Sequence, residues 1–156
     1  MKYMGTLIIV KDMERARRFY TDVMGLEVIN DFGANVGFAG GISLQTAETW
    51  EMFIQKKKED IRFNNNASEL YFETDDIDAF VKKLKSLYIP CVHPLIEHPW
   101  GQRGIRFYDP DGHMIETSED MGIVIRRFLD SGMTVEETAA RMGVPVEYVK
   151  FMQQGA

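Results

Sequence analysis

The feature that most constrains this chain is a faint internal repeat. Leu7-Ile8-Ile9-Val10 reads as a strand, Asp12-Met13-Glu14 opens a helix with Asp12 as its N-cap, and Gly25 ends it. Further on, Leu70-Tyr71-Phe72 again reads as a strand, and Asp76 opens a second helix with Phe80, Val81, Leu84 and Leu87 as its apolar stripe. Setting Asp12 on Asp76 also sets Ala16 on Phe80, Tyr20 on Leu84, Val23 on Leu87 and Val28 on Val92. A period of about 65 residues is too long for the usual solenoids. It predicts a duplicated β-α-β-β-β module.

The last strands repeat as well. Gly41-Ile42-Ser43-Leu44-Gln45 matches Gly112-His113-Met114-Ile115-Glu116 at a slightly longer shift. The second half therefore carries a short insertion, placed around His98-Pro99-Trp100-Gly101. Asp109-Pro110-Asp111-Gly112 has the chemistry of a tight hairpin turn, with proline presetting one φ and glycine taking the left-handed place. Beyond it, Met114 and Glu116 share one strand face and His113 and Ile115 the other. The predicted fold class is α+β: two modules, 1–47 and 67–118, a polar linker 48–66, and a helical appendix 119–156.

Composition narrows the function. A net charge of −6 argues against general binding to nucleic acid or anionic membranes. The single cysteine, Cys91, excludes an intramolecular disulfide and reads as a small apolar strand residue. The apolar runs are too short to span a bilayer and no signal-peptide pattern opens the chain, so a cytoplasmic location is the default expectation.

Three stretches carry a resemblance: Asp12-Met13-Glu14-Arg15-Ala16 with Phe19-Tyr20 and Gly25-Leu26; Asp75-Asp76-Ile77-Asp78; and Trp100-Gly101-Gln102-Arg103 leading to Asp109-Pro110-Asp111-Gly112-His113 and Glu116. In this order they resemble the vicinal-oxygen-chelate superfamily of glyoxalases, bleomycin-resistance proteins, fosfomycin-resistance enzymes and extradiol dioxygenases. The resemblance implies paired modules whose curved mixed sheet lines a cleft, and a homodimer. It also implies ligand places at Gly5, Gln45, Glu69 and Glu116. The repeat pairs Gly5 with Glu69 and Gln45 with Glu116. The first place lacks a side chain and no histidine falls on the site face. What remains, Gln45, Glu69 and Glu116, is an all-oxygen set suited to a hard divalent metal such as magnesium or manganese.

Strand alternation aims Gly5, Leu7 and Ile9 at the site face of the first module and Glu69, Tyr71 and Glu73 at that of the second. Glu116 and Glu69 are the candidate catalytic carboxylates. Glu116 reads equally as a ligand or base and as the ion-pair partner of Arg106. Trp100, Tyr71, Tyr108, Arg106 and Met114 are the candidate ligand contacts, with Trp100 on a loop that can act as a lid. His98 is expected at the surface, with a swing toward the cleft as an extra ligand or base as the alternative, and His93 and His113 are expected as structural residues.

The appendix predicts three helices, with Thr134-Val135-Glu136-Glu137 as a capping box and Gly143 as a stop. It resembles a helix-turn-helix in Ala139, Gly143 and Val149. Its charges cancel, however: Arg126, Arg127, Arg141 and Lys150 stand against Asp130, Glu136, Glu137 and Glu147, which disfavours DNA. The expectation is a small-molecule-binding protein of bleomycin-resistance type taking a planar or cationic ligand. The alternatives are a metal-dependent glyoxalase-like lyase, isomerase or dioxygenase, and a ligand-responsive regulator.

Overall fold

The computed structural model describes residues 1–154 and has the predicted α+β class: two four-stranded sheets with helices, followed by the C-terminal helices. The elements are β1 (Thr6–Val10), α1 (Met13–Arg18, continued by the π-helical turn Phe19–Val23), β2 (Val28–Asp31), β3 (Asn35–Phe38), β4 (Ile42–Thr46), α2 (Ala47–Ile54), β5 (Glu69–Thr74), α3 (Ile77–Ser86), β6 (Ile96–Glu97), β7 (Arg103–Tyr108), β8 (Met114–Glu119), α4 (Met121–Asp130), α5 (Val135–Met142) and α6 (Val146–Gln154). One sheet is ordered β1-β4-β3-β2 and the other β5-β8-β7-β6, so the repeat read from the sequence reappears as the same strand order twice.

The chain forms two compact units. The first holds residues 1–68 with the turn 108–114. In it β1 pairs in parallel with β4, and β4 and β2 flank β3 antiparallel. Asp12 caps α1 by accepting from Arg15 N, and Ala16, Phe19, Tyr20 and Val23 enter a core with Val10, Val36, Phe38 and Leu44. The turn is knotted by its own carboxylate: Asp109 Oδ1 accepts from Asp111 N and His113 N, and Gly112 sits at φ 89°. Its two aspartates are buried and satisfied. Tyr20 donates to Asp109 at 2.9 Å, while Arg15 and Lys11 N donate to Asp111. Burial, then the Asp109 charge, pushes the Tyr20 hydroxyl well above its ordinary range.

The second unit holds, among the described residues, 69–107 and 115–154. Asp76 caps α3 through Ala79 N, and Ile77, Val81 and Leu84 enter the core with Ile105, Phe107 and Ile115. The three last helices share a core of Val124, Ile125, Ala139, Met142 and Val149. Thr134 and Glu137 close the capping box, and Gly143 takes the left-handed stop at φ 69°. None of the described helices is long and apolar enough to cross a membrane.

Three local expectations are corrected. Leu87 is 50% exposed because α3 ends at Ser86, leaving Leu87 as the cap rather than part of the stripe. The strand expected around Cys91 and Val92 shrinks to an isolated bridge between Cys91 and Phe107, and both residues are exposed. Pro90 and Pro94 bracket this stretch and remove ladder donors. The polar linker contains a helix, α2, whose Met52 and Phe53 are exposed.

Candidate functional site

In the second unit, β5, β7 and β8 bring charged and aromatic side chains together. Alternation along β5 leaves Glu69, Tyr71 and Glu73 on its exposed face, with Leu70, Phe72 and Thr74 half-buried behind. Arg106 of β7 reaches between two carboxylates. Its Nε donates to Glu69 Oε2 at 2.8 Å, and an Nη donates to Glu116 of β8. Glu116 is buried and also accepts from Ser118 Oγ at 2.8 Å. The Arg106 hydrogen bond holds the Glu69 carboxyl below its ordinary value.

His98 was expected at the surface; it belongs here instead. Its side chain is 12% exposed and its Nε2 lies 3.6 Å from Glu116 Oε1. That nitrogen is buried and has no hydrogen-bond partner among the described residues. The imidazole is stacked on Trp100, with centroids 4.4 Å apart and planes 4° from parallel. The surface expectation failed because Pro99 and Gly101 mark the turn but not the distant residues that the folded-back loop meets. His98 N donates to Gln102 O and Gly101 N to His98 O.

Trp100 keeps 37% of its surface exposed, and its Nε1 donates to Gln102 Oε1. Gln102 in turn donates to Tyr71 Oη at 3.0 Å, and Tyr71 donates to Glu73 at 2.7 Å. Desolvation of the Tyr71 hydroxyl, then its bond to Glu73, pushes it up to about 12. It therefore stays a neutral donor at physiological pH. Gln102 and Ser118 were missed by sequence reasoning. Ser118 shares strand parity with Glu116 along β8, and Gln102, just before β7, continues the parity of Arg106.

The remaining expected residues lie elsewhere. Tyr108 belongs to the first unit, where its hydroxyl donates to Asn66. Met114, at the start of β8, is half-buried. Gln45, in the first unit, is buried; its Oε1 accepts from Asn35 and its Nε2 donates to Thr49. Gly5 has a backbone reason to be glycine. It sits at φ 152°, and a Cβ there would collide with the Gly41 carbonyl oxygen.

The donor set does not suit a divalent metal as it stands. Among the described residues no three His, Cys, Asp or Glu side chains cluster so as to hold one. Glu69 and Glu116 already share the Arg106 guanidinium, a fixed cation that any metal must displace. The arrangement can instead take up a ligand: an exposed indole, a half-exposed phenol, one imidazole nitrogen without a hydrogen-bond partner and a carboxylate surplus.

Residues 3–122 match the family model described as a glyoxalase-like domain. The structure is similar to that of a protein of unknown function from Agrobacterium tumefaciens, 33% identical, covering 77% of this chain and 94% of that one with a TM-score of 0.68. It is also similar to a lactoylglutathione lyase from the same organism (25% identity, 76% and 92% covered, TM-score 0.55). A member of the glyoxalase/bleomycin resistance protein/dioxygenase superfamily from Sphaerobacter thermophilus is similar too (26% identity, 77% and 98% covered, TM-score 0.57). No curated protein matches. The domain match covers most of the chain, and with it this protein belongs to the glyoxalase-like domain family of the vicinal-oxygen-chelate superfamily.

Proposed function

We propose that the chain is a binding protein of the glyoxalase and bleomycin-resistance kind that takes a small planar cation on the β5–β7–β8 face of its second module. The observation that carries this is His98 Nε2, buried beside Glu116 without a hydrogen-bond partner under the exposed indole of Trp100. A buried polar atom without a partner is costly. The 3.6 Å separation of His98 Nε2 from Glu116 is too long for a hydrogen bond, and a ligand N–H admitted as the Trp100 loop moves can donate to either atom. Glu69, Glu73 and Glu116 against the single Arg106 leave the face negative, which selects a cation. Trp100 and Tyr71 supply π-faces that attract one.

The test is fluorescence titration with a planar aromatic cation that carries N–H donors, proflavine, beside an aromatic anion, 1-anilinonaphthalene-8-sulfonate. The cation should bind and quench Trp100, and Glu116→Gln should weaken it about tenfold, the loss of one charge-assisted hydrogen bond. Stronger binding of the anion, or no binding of either dye at millimolar supply, sinks the reading. Manganese titration covers the metal-assisted alternative. Stoichiometric tight manganese that is lost in Glu116→Ala would favour that alternative over simple capture.

A further inference from the structure

Residues 123–156 lie beyond the family match, and the similar structures leave about a quarter of this chain uncovered. The helices of this extra segment touch one part of the site with unusual directness. From α4, Arg127 donates to Gly101 O at 2.7 Å and to Glu119 Oε2 at 2.9 Å. From α5, Arg141 donates to Pro99 O and to Glu97 Oε1. The Phe128 ring abuts Gly101, where a Cβ would strike it, and each arginine lies 5.6 Å from that ring's centroid.

The loop between β6 and β7 is thereby sorted by parity. Glu97, Pro99, Gly101 and Arg103 are held by Arg127, Arg141 and Glu119. His98 and Trp100 point the other way, to Glu116 and to each other, while Gln102 spans both sides, donating to Tyr71 and to the Glu119 carbonyl oxygen. Backbone carbonyls of a short loop are ordinarily satisfied by water. Here two guanidinium groups from added helices bind them, and a planar fork fixes direction as well as distance.

We propose that the C-terminal helices lock this loop, with Arg127 and Arg141 as positioning residues that hold His98 and Trp100 in place for binding. The proposal rests on the reading of that face as a binding site. The second tryptophan, Trp50, is removed as Trp50→Phe so that Trp100 alone reports. In this background the full-length Arg127→Ala, Arg141→Ala and double variants are compared with their parent. Two readouts need no ligand: acrylamide quenching of Trp100 and hydrogen exchange at Gly101 N, which is bonded to His98 O. Both should rise, additively or more, while far-UV circular dichroism stays unchanged. Arg141→Lys, which keeps one donor within reach of a carbonyl, should restore part of the protection. The dissociation constant for proflavine should rise roughly tenfold in the double variant.

Unchanged quenching and exchange in folded variants overturn the lock, whatever the dye does. Should the double variant fail to fold, Arg141→Ala decides alone, because that side chain is partly exposed and outside the helical core. If the loop readouts move but the parent protein binds no dye, the lock stands and the assignment of the ligand fails.

Discussion

Arg106 donates to Glu69 and to Glu116, so one guanidinium serves two carboxylates. Glu69 is the more exposed of the two, and its carboxyl is held below 4.5 chiefly by the Arg106 hydrogen bond. A depressed carboxyl adds stability that is fully present above its unfolded value and fades as pH falls through the folded one. The stability gap between wild type and Glu69→Gln should therefore be widest at neutral pH and close as pH falls below 4.5, read by urea unfolding across pH. Glu116 is the buried partner. Glu116→Gln leaves a guanidinium without one of its charges and should cost about 1–3 kcal/mol in the same assay. Gly101→Ala acts by shape: its φ of 89° and the nearby Phe128 ring both oppose a methyl group. We expect a loss of about 1–3 kcal/mol from backbone strain, together with freer quenching of Trp100.

At the scale of elements, caps and turns were the most legible. Asp12, Asp76 and Thr134 all cap the helices their positions predicted, because an N-cap is a local bargain between one side chain and the next turn. Thr134→Ala should cost about 1 kcal/mol by denaturant unfolding, and hydrogen exchange should localise the loosening to the start of α5. The hairpin turn was read correctly from its own four residues. What it anchors was not, since the partners of Asp109 and Asp111 (Tyr20, Arg15 and Lys11) come from far away in sequence. Elements decided by context were missed in the same way. Two prolines reduced a strand to one bridge at Cys91, and an apolar helix formed where the linker looked polar.

At the scale of the whole molecule, the internal repeat was enough to predict the α+β class and the doubled module, since a duplicated pattern must bury the same faces twice. The site was half legible. Parity placed Glu69, Tyr71, Arg106 and Glu116 on shared strand faces, and the ion pair of Arg106 with Glu116, one of the two readings of Glu116, is present. His98 and the helix-borne arginines escaped because a loop's fold-back and its distant clamps leave no periodic trace. The net charge of −6 acts over the molecule as a whole. A cationic dye should associate faster than a neutral one of similar size at low salt. Stopped-flow rates should fall as ionic strength rises toward about 0.15 M, where the screening length is about 8 Å.

The close passage of Gly5 against Gly41 bears on what this protein can become. At that position a ligating side chain is barred by neighbouring backbone rather than by missing chemistry, for a Cβ there meets the Gly41 carbonyl oxygen. Thr6 N also bonds that same oxygen at 2.8 Å, so the obstruction is part of the sheet's edge. A single codon change to histidine thus lands in a clash, and any productive route must first remodel the turn before β4. In mutational terms the position is a dead end one step deep. Selection starting from random variants should recover substitutions around Ala39–Gly41 before any at Gly5.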